Sequence, residues 1–308
     1  MPRLHGEKIL VVGCTGQVAM PVAKALAADN DVWGIARFTN AAAREDLEAA
    51  GVTCQTVDVA EPDLASVPDD FSYVLNFSVA RTGSWTGDLD TNVGAVTYVV
   101  EHCCTATAFL HCSTTGVYQP QPDHVFGEDD PLGDNHRPWE PSMPFLSTYS
   151  ISKIASEAAA RYAARRWDVP TVIPRLAVPY GDNGGWPAFH LEMLAAGMAI
   201  PLHPDRPNRF NPIHEDDIVA TVPALLEIAT VPPTVVNWAG AESSIEDWCS
   251  QLGNLIGIEP KFEETEETIA GVPVDTTRFE ALAGTEPRVA LDDGLRRMVV
   301  ARRPDLLT

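Results

Sequence analysis

The residues best suited to chemistry are Tyr149 and Lys153, four positions apart at the start of a segment with helical periodicity. This spacing places both side chains on one helix face, about 5–6 Å apart at Cβ. A phenol has a pKa of about 10 and needs a neighbouring positive charge to act as a base near neutral pH. Lys153 would supply that charge. A surface pair on an amphipathic helix has the same spacing, so the surrounding elements decide between the two interpretations.

A glycine-rich motif, VVGCTGQVAM, lies between the first predicted strand and the first predicted helix. Its pattern is GxxGxxA, formed by Gly13, Gly16 and Ala19. Glycines allow a tight turn and let backbone N–H groups approach a pyrophosphate, while the third small residue lets the helix pack close to the strand. In a first βαβ unit the motif predicts dinucleotide binding. The predicted loop residues are Gly13, Thr15, Gly16, Gln17 and Val18.

The end of the second predicted strand bears on which dinucleotide binds. Ala36 stands where an acidic residue would contact the ribose 2′-hydroxyl, and Arg37 follows it. No carboxylate repels a 2′-phosphate and a guanidinium can bind it, so we expect NADP(H) in preference to NAD(H). Arg37 could instead stack on the adenine or face solvent. Asp58, at the end of the third strand, is a candidate for the adenine edge or for a helix cap.

Short apolar runs, nearly continuous in hydrophobicity, alternate with helical patterns along the chain. This alternation predicts an α/β fold, a Rossmann-like doubly wound parallel sheet whose strands are buried on both faces. Prolines between the third and fourth strands predict a shortened crossover. The predicted strands cover 8–13, 31–37, 52–58, 73–78, 108–114, 171–178 and 235–240. The predicted helices cover 21–30, 41–51, 89–103, a segment from Tyr149 onwards, and 215–228.

From about residue 181 the chain becomes proline-rich and irregular. This change predicts two units. A dinucleotide-binding domain comprises 1–180 plus 213–240, and a smaller, discontinuous C-terminal substrate-binding lobe comprises 181–212 plus 241–308.

Composition excludes several classes of function. The net charge of −22, from 43 acidic and 21 basic residues, argues against binding nucleic acid or an anionic membrane. The six cysteines have no CxxC spacing and the eight histidines no metal-ligand spacing, so we expect no disulfide framework and no metal. We expect a cytoplasmic protein, because no apolar run approaches the roughly 18 residues that span a bilayer and no signal peptide is evident.

Together these motifs resemble the extended short-chain dehydrogenase/reductases, in their NAD(P)-dependent epimerase/dehydratase-like branch. The resemblance covers nearly the whole chain, and its specificity lies in the order and separation of the motifs. Besides the glycine-rich loop they are DV (58–59), NFSVA (76–80), NVGAV (92–96), STTGVY (113–118), YSISK (149–153), PRLAVPYG (174–181), NPIHEDDIVA (211–220) and VVNWAG (235–240).

The resemblance implies a catalytic triad of Thr114, Tyr149 and Lys153. The family's catalytic hydroxyl lies four residues before the tyrosine of the VY element, here Tyr118, which selects Thr114 over Ser113. Tyr149 would exchange a proton with the substrate oxygen while hydride moves to or from the nicotinamide. Lys153 would also hold the nicotinamide ribose, and Thr114 would hydrogen-bond the reacting oxygen. The other cofactor-binding residues implied are Val59, Phe77, Ser78, Val79, Asn92 and Leu176.

Departures from the family pattern bear on the reaction. Dehydratases of the family carry an acidic pair directly after the catalytic threonine, where this chain has Thr115 and Gly116. Nucleotide-sugar enzymes usually have asparagine at the position of Val178. NADP(H) preference favours net reduction, so we expect hydride transfer between NADP(H) and a carbonyl/alcohol substrate. The alternative is a nucleotide-sugar epimerase acting through a transient keto form. A non-catalytic dinucleotide-binding sensor is disfavoured by the complete triad.

Substrate contacts are expected in segments that border the active site in relatives. The loop 119–147 is expected to form a lid or rim, while His214, Asp216 and Asp217 are expected to be structural. Arg206 and Arg209 could bind a phosphate or face solvent. Trp139 and Phe189 are further aromatic candidates. The substrate candidates are Arg81, Trp85, Thr115, Val178, Trp186 and Arg209.

The resemblance also implies a homodimer, formed by packing the helices at about 88–106 and 148–166. The second helix has a small-residue face, Ala155, Ala158 and Ala159, which suits close helix approach but could instead pack on the sheet.

Overall fold

A computed structural model describes residues 4–61, 63–136, 147–284 and 289–307 of the chain. Within those residues strands and helices alternate from the N-terminus. In chain order the strands are β1 (Lys8–Val12), β2 (Asp31–Ala36), β3 (Thr53–Thr56), β4 (Tyr73–Asn76), β5 (Ala108–His111), β6 (Ser113–Thr114), β7 (Thr171–Leu176), β8 (Val178–Gly181), β9 (Gly184–Gly185), β10 (Ile200–Leu202), β11 (Arg209–Phe210), β12 (Pro212–His214), β13 (Thr234–Trp238), β14 (Ser243–Ser244) and β15 (Phe262–Glu264). The helices are α1 (Ala19–Ala27), α2 (Ala41–Ala49), α3 (Trp85–His102), α4 (Tyr149–Trp167), α5 (Trp186–Ala195), α6 (Glu215–Glu227), α7 (Ile245–Ile256), α8 (Thr277–Ala283) and α9 (Leu291–Arg302).

The main sheet has the strand order β13-β7-β5-β4-β1-β2-β3, and the short β6 also pairs with β7. Every pair in it is parallel. The chain order reverses between β1 and β4, which is the switch point where ligands of open α/β sheets bind. The predicted Rossmann-like, doubly wound fold is confirmed.

Alternate residues of β1 point to opposite faces of this sheet, and each face carries its own core. Ile9 and Val11 pack with side chains of α1 and α6, whereas Leu10 and Val12 pack with side chains of α3 and α4. Burial on both faces explains why the strand is continuously apolar rather than alternating.

Two predicted strands end before their apolar runs do. The run 108–114 divides at Cys112, whose backbone N–H donates a hydrogen bond to the Asn76 carbonyl and whose own carbonyl accepts one from Lys153. The run 171–178 ends at Leu176, and β8 leaves the main sheet to pair with β12 and β9. As the prolines predict, residues 57–61 and 63–72 contain no helix.

A third core lies among α5, α7 and α9, where Trp248, Leu252 and Met298 are fully buried. β8 contributes Val178 and Tyr180 to it. The proposed division between a dinucleotide-binding domain and a substrate lobe stays a prediction. In the part of the chain that the structure describes, no helix is both long and apolar enough to cross a membrane.

Candidate active site

Tyr149 and Thr114 meet at the carboxyl edge of the main sheet. Tyr149 is the first residue of α4 and Thr114 ends β6, and the Thr114 side chain is close enough to the phenol to lower its pKa. The Thr114 hydroxyl oxygen accepts a hydrogen bond from the Gly116 N–H at 3.1 Å, which leaves its own proton available for the phenol oxygen. The threonine can therefore stabilise a phenolate and orient a second oxygen nearby.

Lys153 lies one turn further along α4 and is buried. Its ammonium donates a hydrogen bond to the carbonyl oxygen of Cys112 at 2.7 Å. Burial lowers the pKa of Lys153, while the charges of Cys112 and Glu157 oppose that shift. The structure thus brings Thr114, Tyr149 and Lys153 together, as the resemblance implies.

The ionisation of Tyr149 responds to several neighbours. Burial raises its pKa, while the nearby Thr114 hydroxyl and the positive charge of Arg81 oppose that shift. Lys153 keeps its positive charge while it donates to the Cys112 carbonyl, and its role as the cation that favours the phenolate stays a prediction.

His136 is a site residue that the sequence did not indicate. Its ring packs edge-on against Tyr149, with centroids 5.1 Å apart, and its Nδ1 lies 2.7 Å from Ser150 Oγ. Ser150 in turn donates to the Gly116 carbonyl at 2.7 Å. Burial and the charge of Arg81 lower the pKa of His136 to about 4, so the ring is neutral near pH 7.

Gly116 is needed because of this histidine. A Cβ at residue 116 would lie 2.7 Å from His136 Cε1, too close for contact. The position that carries an acidic residue in dehydratases of the family is therefore filled from another loop by a neutral ring.

A buried ion-pair network supports the strand that ends at Thr114. The Glu157 carboxylate takes two hydrogen bonds from Arg175, at 2.9 Å each, and one from Ser113 Oγ at 2.6 Å. Arg175 also donates to Tyr118 Oη at 3.1 Å. The sequence signal for this network is Glu157 itself, four residues after Lys153 on the same helix, but no pattern pairs it with a distant β7 arginine.

The glycine-rich loop has the geometry of a phosphate cradle. Gly13 has φ +76°, and a Cβ there would lie 3.0 Å from the backbone of Ser78. Val18 is the N-cap of α1 and contributes no side-chain cap, so the first N–H groups of the helix stay open to an anion. Gln17 is tied to the segment after β8, because its carbonyl accepts a 2.7 Å hydrogen bond from Asn183. These features fit a dinucleotide, for which Thr15 and Gly16 complete the turn.

The residues predicted for the adenosine end lie at the ends of β2 and β3. Arg37 is exposed and forms no hydrogen bond or ion pair with another described residue. Asp58 accepts a hydrogen bond from the Ala60 N–H at 3.0 Å and so closes the turn after β3, where residues 59–61 contain no helix for it to cap. Val59 is half-buried beside this turn.

The residues predicted along the nicotinamide side surround the switch point. Phe77 packs on the core, and Ser78 donates to the Asn76 side chain. Val79 is exposed at the strand end, whereas Leu176 is buried at the end of β7. The Asn92 side chain is hydrogen-bonded to protein backbone. Its Oδ1 accepts from the Ala80 N–H and its Nδ2 donates to the Ala80 carbonyl.

The substrate candidates fall into two groups. Arg81, before α3, and Trp85, its first residue, are exposed. Thr115 directly follows Thr114 and Val178 lies in β8, and both are buried. Trp186 packs in an aromatic cluster with His190, Phe210 and Trp248.

Arg206, before β11, and Arg209, in β11, both have acidic partners. Arg209 pairs with Asp123 at 2.8 Å and Glu242 at 3.3 Å, and Arg206 lies 3.8 Å from Glu264. Phe189 is exposed on α5.

Other predictions concern parts away from the triad. His214 caps α6 through its Nδ1 and Asp217 accepts from the Val289 N–H, consistent with structural roles. Trp139 and residues 137–146 of the predicted lid lie outside the described residues. Among the residues described, no cluster of His, Cys, Asp or Glu could hold a metal ion.

This fold and triad define a nicotinamide-dinucleotide-dependent enzyme of the extended short-chain dehydrogenase/reductase class. Residues 9–239 match the family model of the NAD dependent epimerase/dehydratase family. The chain belongs to that family.

Solved structures of nucleotide-sugar enzymes share the fold. UDP-glucuronic acid 4-epimerase from Bacillus cereus, in complex with UDP-glucuronic acid and NAD, gives a TM-score of 0.79 at 20% identity over 96% of this chain and 98% of its own. UDP-N-acetylglucosamine 4-epimerase from Methanobrevibacter ruminantium M1 gives 0.80 at 16% identity over 98% and 100%. The dTDP-glucose 4,6-dehydratase from Bacillus anthracis str. Ames, in complex with NAD, gives 0.80 at 17% identity over 97% of both chains.

One curated relative has a closer sequence. The low-salt glycan biosynthesis protein Agl12 of Haloferax volcanii is 29% identical over 203 residues, which are 62% of this chain and 60% of that protein. The chain therefore spans less than two thirds of that relative's length.

Proposed function

We propose that this enzyme is a nucleotide-sugar epimerase that oxidises a sugar hydroxyl to a transient ketone and reduces it again on the opposite face. The observation that carries the proposal is the placement of Thr114, at the end of β6, close to Tyr149 and the buried Lys153 of α4, a set of groups suited to moving a proton at a reacting oxygen. Family membership and the UDP-sugar complexes of similar fold support the substrate class. Gly116 argues against dehydration, because an acid there would collide with His136.

In this reaction each residue of the triad has a separate task. Tyr149 accepts the hydroxyl proton during oxidation and returns it to the ketone oxygen during reduction. Thr114 holds that oxygen in line with the phenol, and the buried Lys153 contributes positive charge and a donor for the ribose. The Gly13 turn and the uncapped N-terminus of α1 would hold the dinucleotide, which would supply the hydride acceptor and donor.

The decisive experiment follows single sugars in deuterated water. Purified protein is incubated with UDP-glucose, UDP-N-acetylglucosamine or UDP-glucuronic acid, and the products are resolved by NMR while reduced cofactor is followed by absorbance. We expect interconversion of epimers with no net cofactor change. The migrating hydrogen should carry no deuterium, because it returns from the nicotinamide. Y149F should abolish turnover, whereas Y162F, at an exposed tyrosine of the same helix, should not. Steady consumption of NADPH without epimer formation would contradict the proposal.

Net reduction of a carbonyl by NADPH is the second candidate function. Arg37 favours it, because the guanidinium stands exposed at the end of β2 and the preceding position, Ala36, has no carboxylate to repel a 2′-phosphate. The nicotinamide complexes of similar fold contain NAD, so this candidate has less support than the epimerase. R37D should raise the ratio of NAD⁺ to NADP⁺ affinity at least tenfold if Arg37 selects the phosphate. An unchanged ratio would remove Arg37 from this role.

A further inference from the structure

A buried chain of hydrogen bonds runs beside the triad from His136 to Thr114. His136 Nδ1 lies 2.7 Å from Ser150 Oγ, which in turn lies 2.7 Å from the carbonyl oxygen of Gly116. The N–H of Gly116 donates to Thr114 Oγ1 at 3.1 Å. Because Ser150 directly follows Tyr149 in α4, this chain joins the start of the catalytic helix to the catalytic threonine. Its four members are all buried.

The direction of each hydrogen bond follows from the atoms involved. A carbonyl oxygen can only accept, so the single hydroxyl proton of Ser150 points to Gly116. Ser150 Oγ must then accept from its other neighbour, which makes His136 Nδ1 a donor. Burial lowers the pKa of His136 to about 4, so the ring is neutral near pH 7 and carries one N–H. That N–H lies on Nδ1, and Nε2 is unprotonated.

Gly116 provides the space that this arrangement needs. A Cβ at residue 116 would lie 2.7 Å from His136 Cε1 and 3.5 Å from Nδ1, so the imidazole packs directly on the backbone there. The same ring packs edge-on against Tyr149, with centroids 5.1 Å apart. The imidazole therefore lies against both the phenol and the backbone that binds Thr114.

We propose that His136 and Ser150 are positioning residues that set where the Thr114 hydroxyl lies relative to the phenol. The backbone of Gly116 is held twice, its carbonyl by Ser150 and its N–H by Thr114 Oγ1. Since Thr114 Oγ1 accepts from that N–H, its own proton is left for the reacting oxygen. Hydrogen bonds in such a chain polarise one another, so losing the first donor weakens the rest. The inference rests on the proposed function, because it names what positions the triad of that reaction.

A second buried histidine provides an internal reference. The Nε1–H of Trp248 donates to His190 Nδ1 at 2.9 Å. An indole nitrogen can only donate, so His190 Nδ1 accepts. Burial also lowers the pKa of His190 to about 4, so this ring is neutral near pH 7 and its proton lies on Nε2. The structure thus predicts opposite tautomers for His136 and His190.

The first test determines the tautomer directly and needs no sugar substrate. The histidine rings are labelled with ¹⁵N, and a long-range ¹H–¹⁵N correlation spectrum is recorded near pH 7, where both rings are neutral. Comparison with H136N and H190Q assigns the two sets of signals. We expect an unprotonated Nε2 in His136 and an unprotonated Nδ1 in His190. A proton on Nε2 of His136 would overturn the proposal.

The second test separates the hydrogen-bond donor from the packing of the ring. Asparagine can place an amide N–H at the position of Nδ1, whereas glutamine reaches the position of Nε2, and both remove the ring. Turnover is measured with the UDP-sugar that the wild-type enzyme interconverts, and circular dichroism checks that each variant is folded. We expect H136N to keep kcat within about threefold of the wild type and H136Q to lose about tenfold, with KM nearly unchanged in both. Equal kcat values for the two variants, or an effect confined to KM, would contradict the role of the donor.

The role of Ser150 is tested by combining each histidine variant with S150A. Without the hydroxyl the donor has no acceptor, so H136N and H136Q should have the same kcat in the S150A background. A difference that persists there would show that His136 does not act through Ser150. A negative sugar panel would refute the epimerase while leaving the tautomer spectrum intact, so the failure of this inference and that of the proposed function are distinguishable.

Discussion

Removing one partner of the buried ion pair Glu157–Arg175 should lower the free energy of unfolding by several kcal/mol. Both side chains are 2% exposed, and Glu157 satisfies two guanidinium N–H groups and Ser113 Oγ. Removing one partner of a buried pair leaves an uncompensated charge, which typically costs about 3–5 kcal/mol. We therefore expect E157A to lower the free energy of unfolding by about 3–5 kcal/mol. Thr114 would also lose the support of Ser113, so turnover should fall.

The magnitude is tested by urea unfolding of E157A, of R175M and of the double variant E157L/R175M. Replacing a buried pair by apolar side chains is often nearly neutral, so the double variant should lose less than the sum of the single losses by at least about 2 kcal/mol. E48A is the matched control, because Arg44–Glu48 is a 2.7 Å pair with side chains 40% and 46% exposed. It should cost under about 0.5 kcal/mol. A loss below about 1 kcal/mol in E157A, or strict additivity, would refute the reasoning.

Three further predictions concern the glycines and the quaternary structure. G13A should weaken dinucleotide binding at least tenfold in calorimetry, because its Cβ would lie 3.0 Å from the Ser78 backbone. Gly197 also has a positive φ, but a Cβ there would meet nothing within 4 Å, so G197A should leave affinity unchanged. G116A should displace His136 and reduce turnover, whereas G127A should not, because its Cβ would meet nothing nearer than 4.0 Å. Equal turnover of the two variants would contradict the predicted clash between residue 116 and His136. A158R, on the exposed face of α4, should convert the predicted homodimer into monomers in light scattering, whereas A42R, on the exposed face of α2, should not. A monomeric wild-type protein would contradict the prediction of a homodimer.

The sheet was predictable because its strands are long apolar runs, and the order of motifs along the chain identified the family. The ends of the strands were less predictable. β5 and β6 separate at Cys112 because a lysine from α4 binds its carbonyl, a contact 41 residues away in sequence. Apolar periodicity contains no information about such a side-chain contact.

The triad was predictable for the same reason as the fold, since its members lie in recognisable motifs. The residues that pack against it or anchor it were not. His136 and Asp88 lie in segments without a pattern, and their importance comes from where the chain folds back on Tyr149 and Thr148. Arg81 stays a predicted substrate contact, and the backbone on either side of it is held by Asn92 and Asp88.

The distribution of positive charge connects these findings. Dinucleotides and nucleotide sugars are anions, and a chain with a net charge of −22 repels them at long range. Binding must therefore depend on local donors. Arg37, Arg81 and Lys153 each form no salt bridge with another described residue. The open N–H groups at the start of α1 add a partial positive charge. Salt screens the repulsion between charges more than about 8–10 Å apart but acts less on contacts of a few ångströms. Cofactor affinity should accordingly rise, rather than fall, when ionic strength increases moderately, the opposite of a site that attracts anions by overall charge.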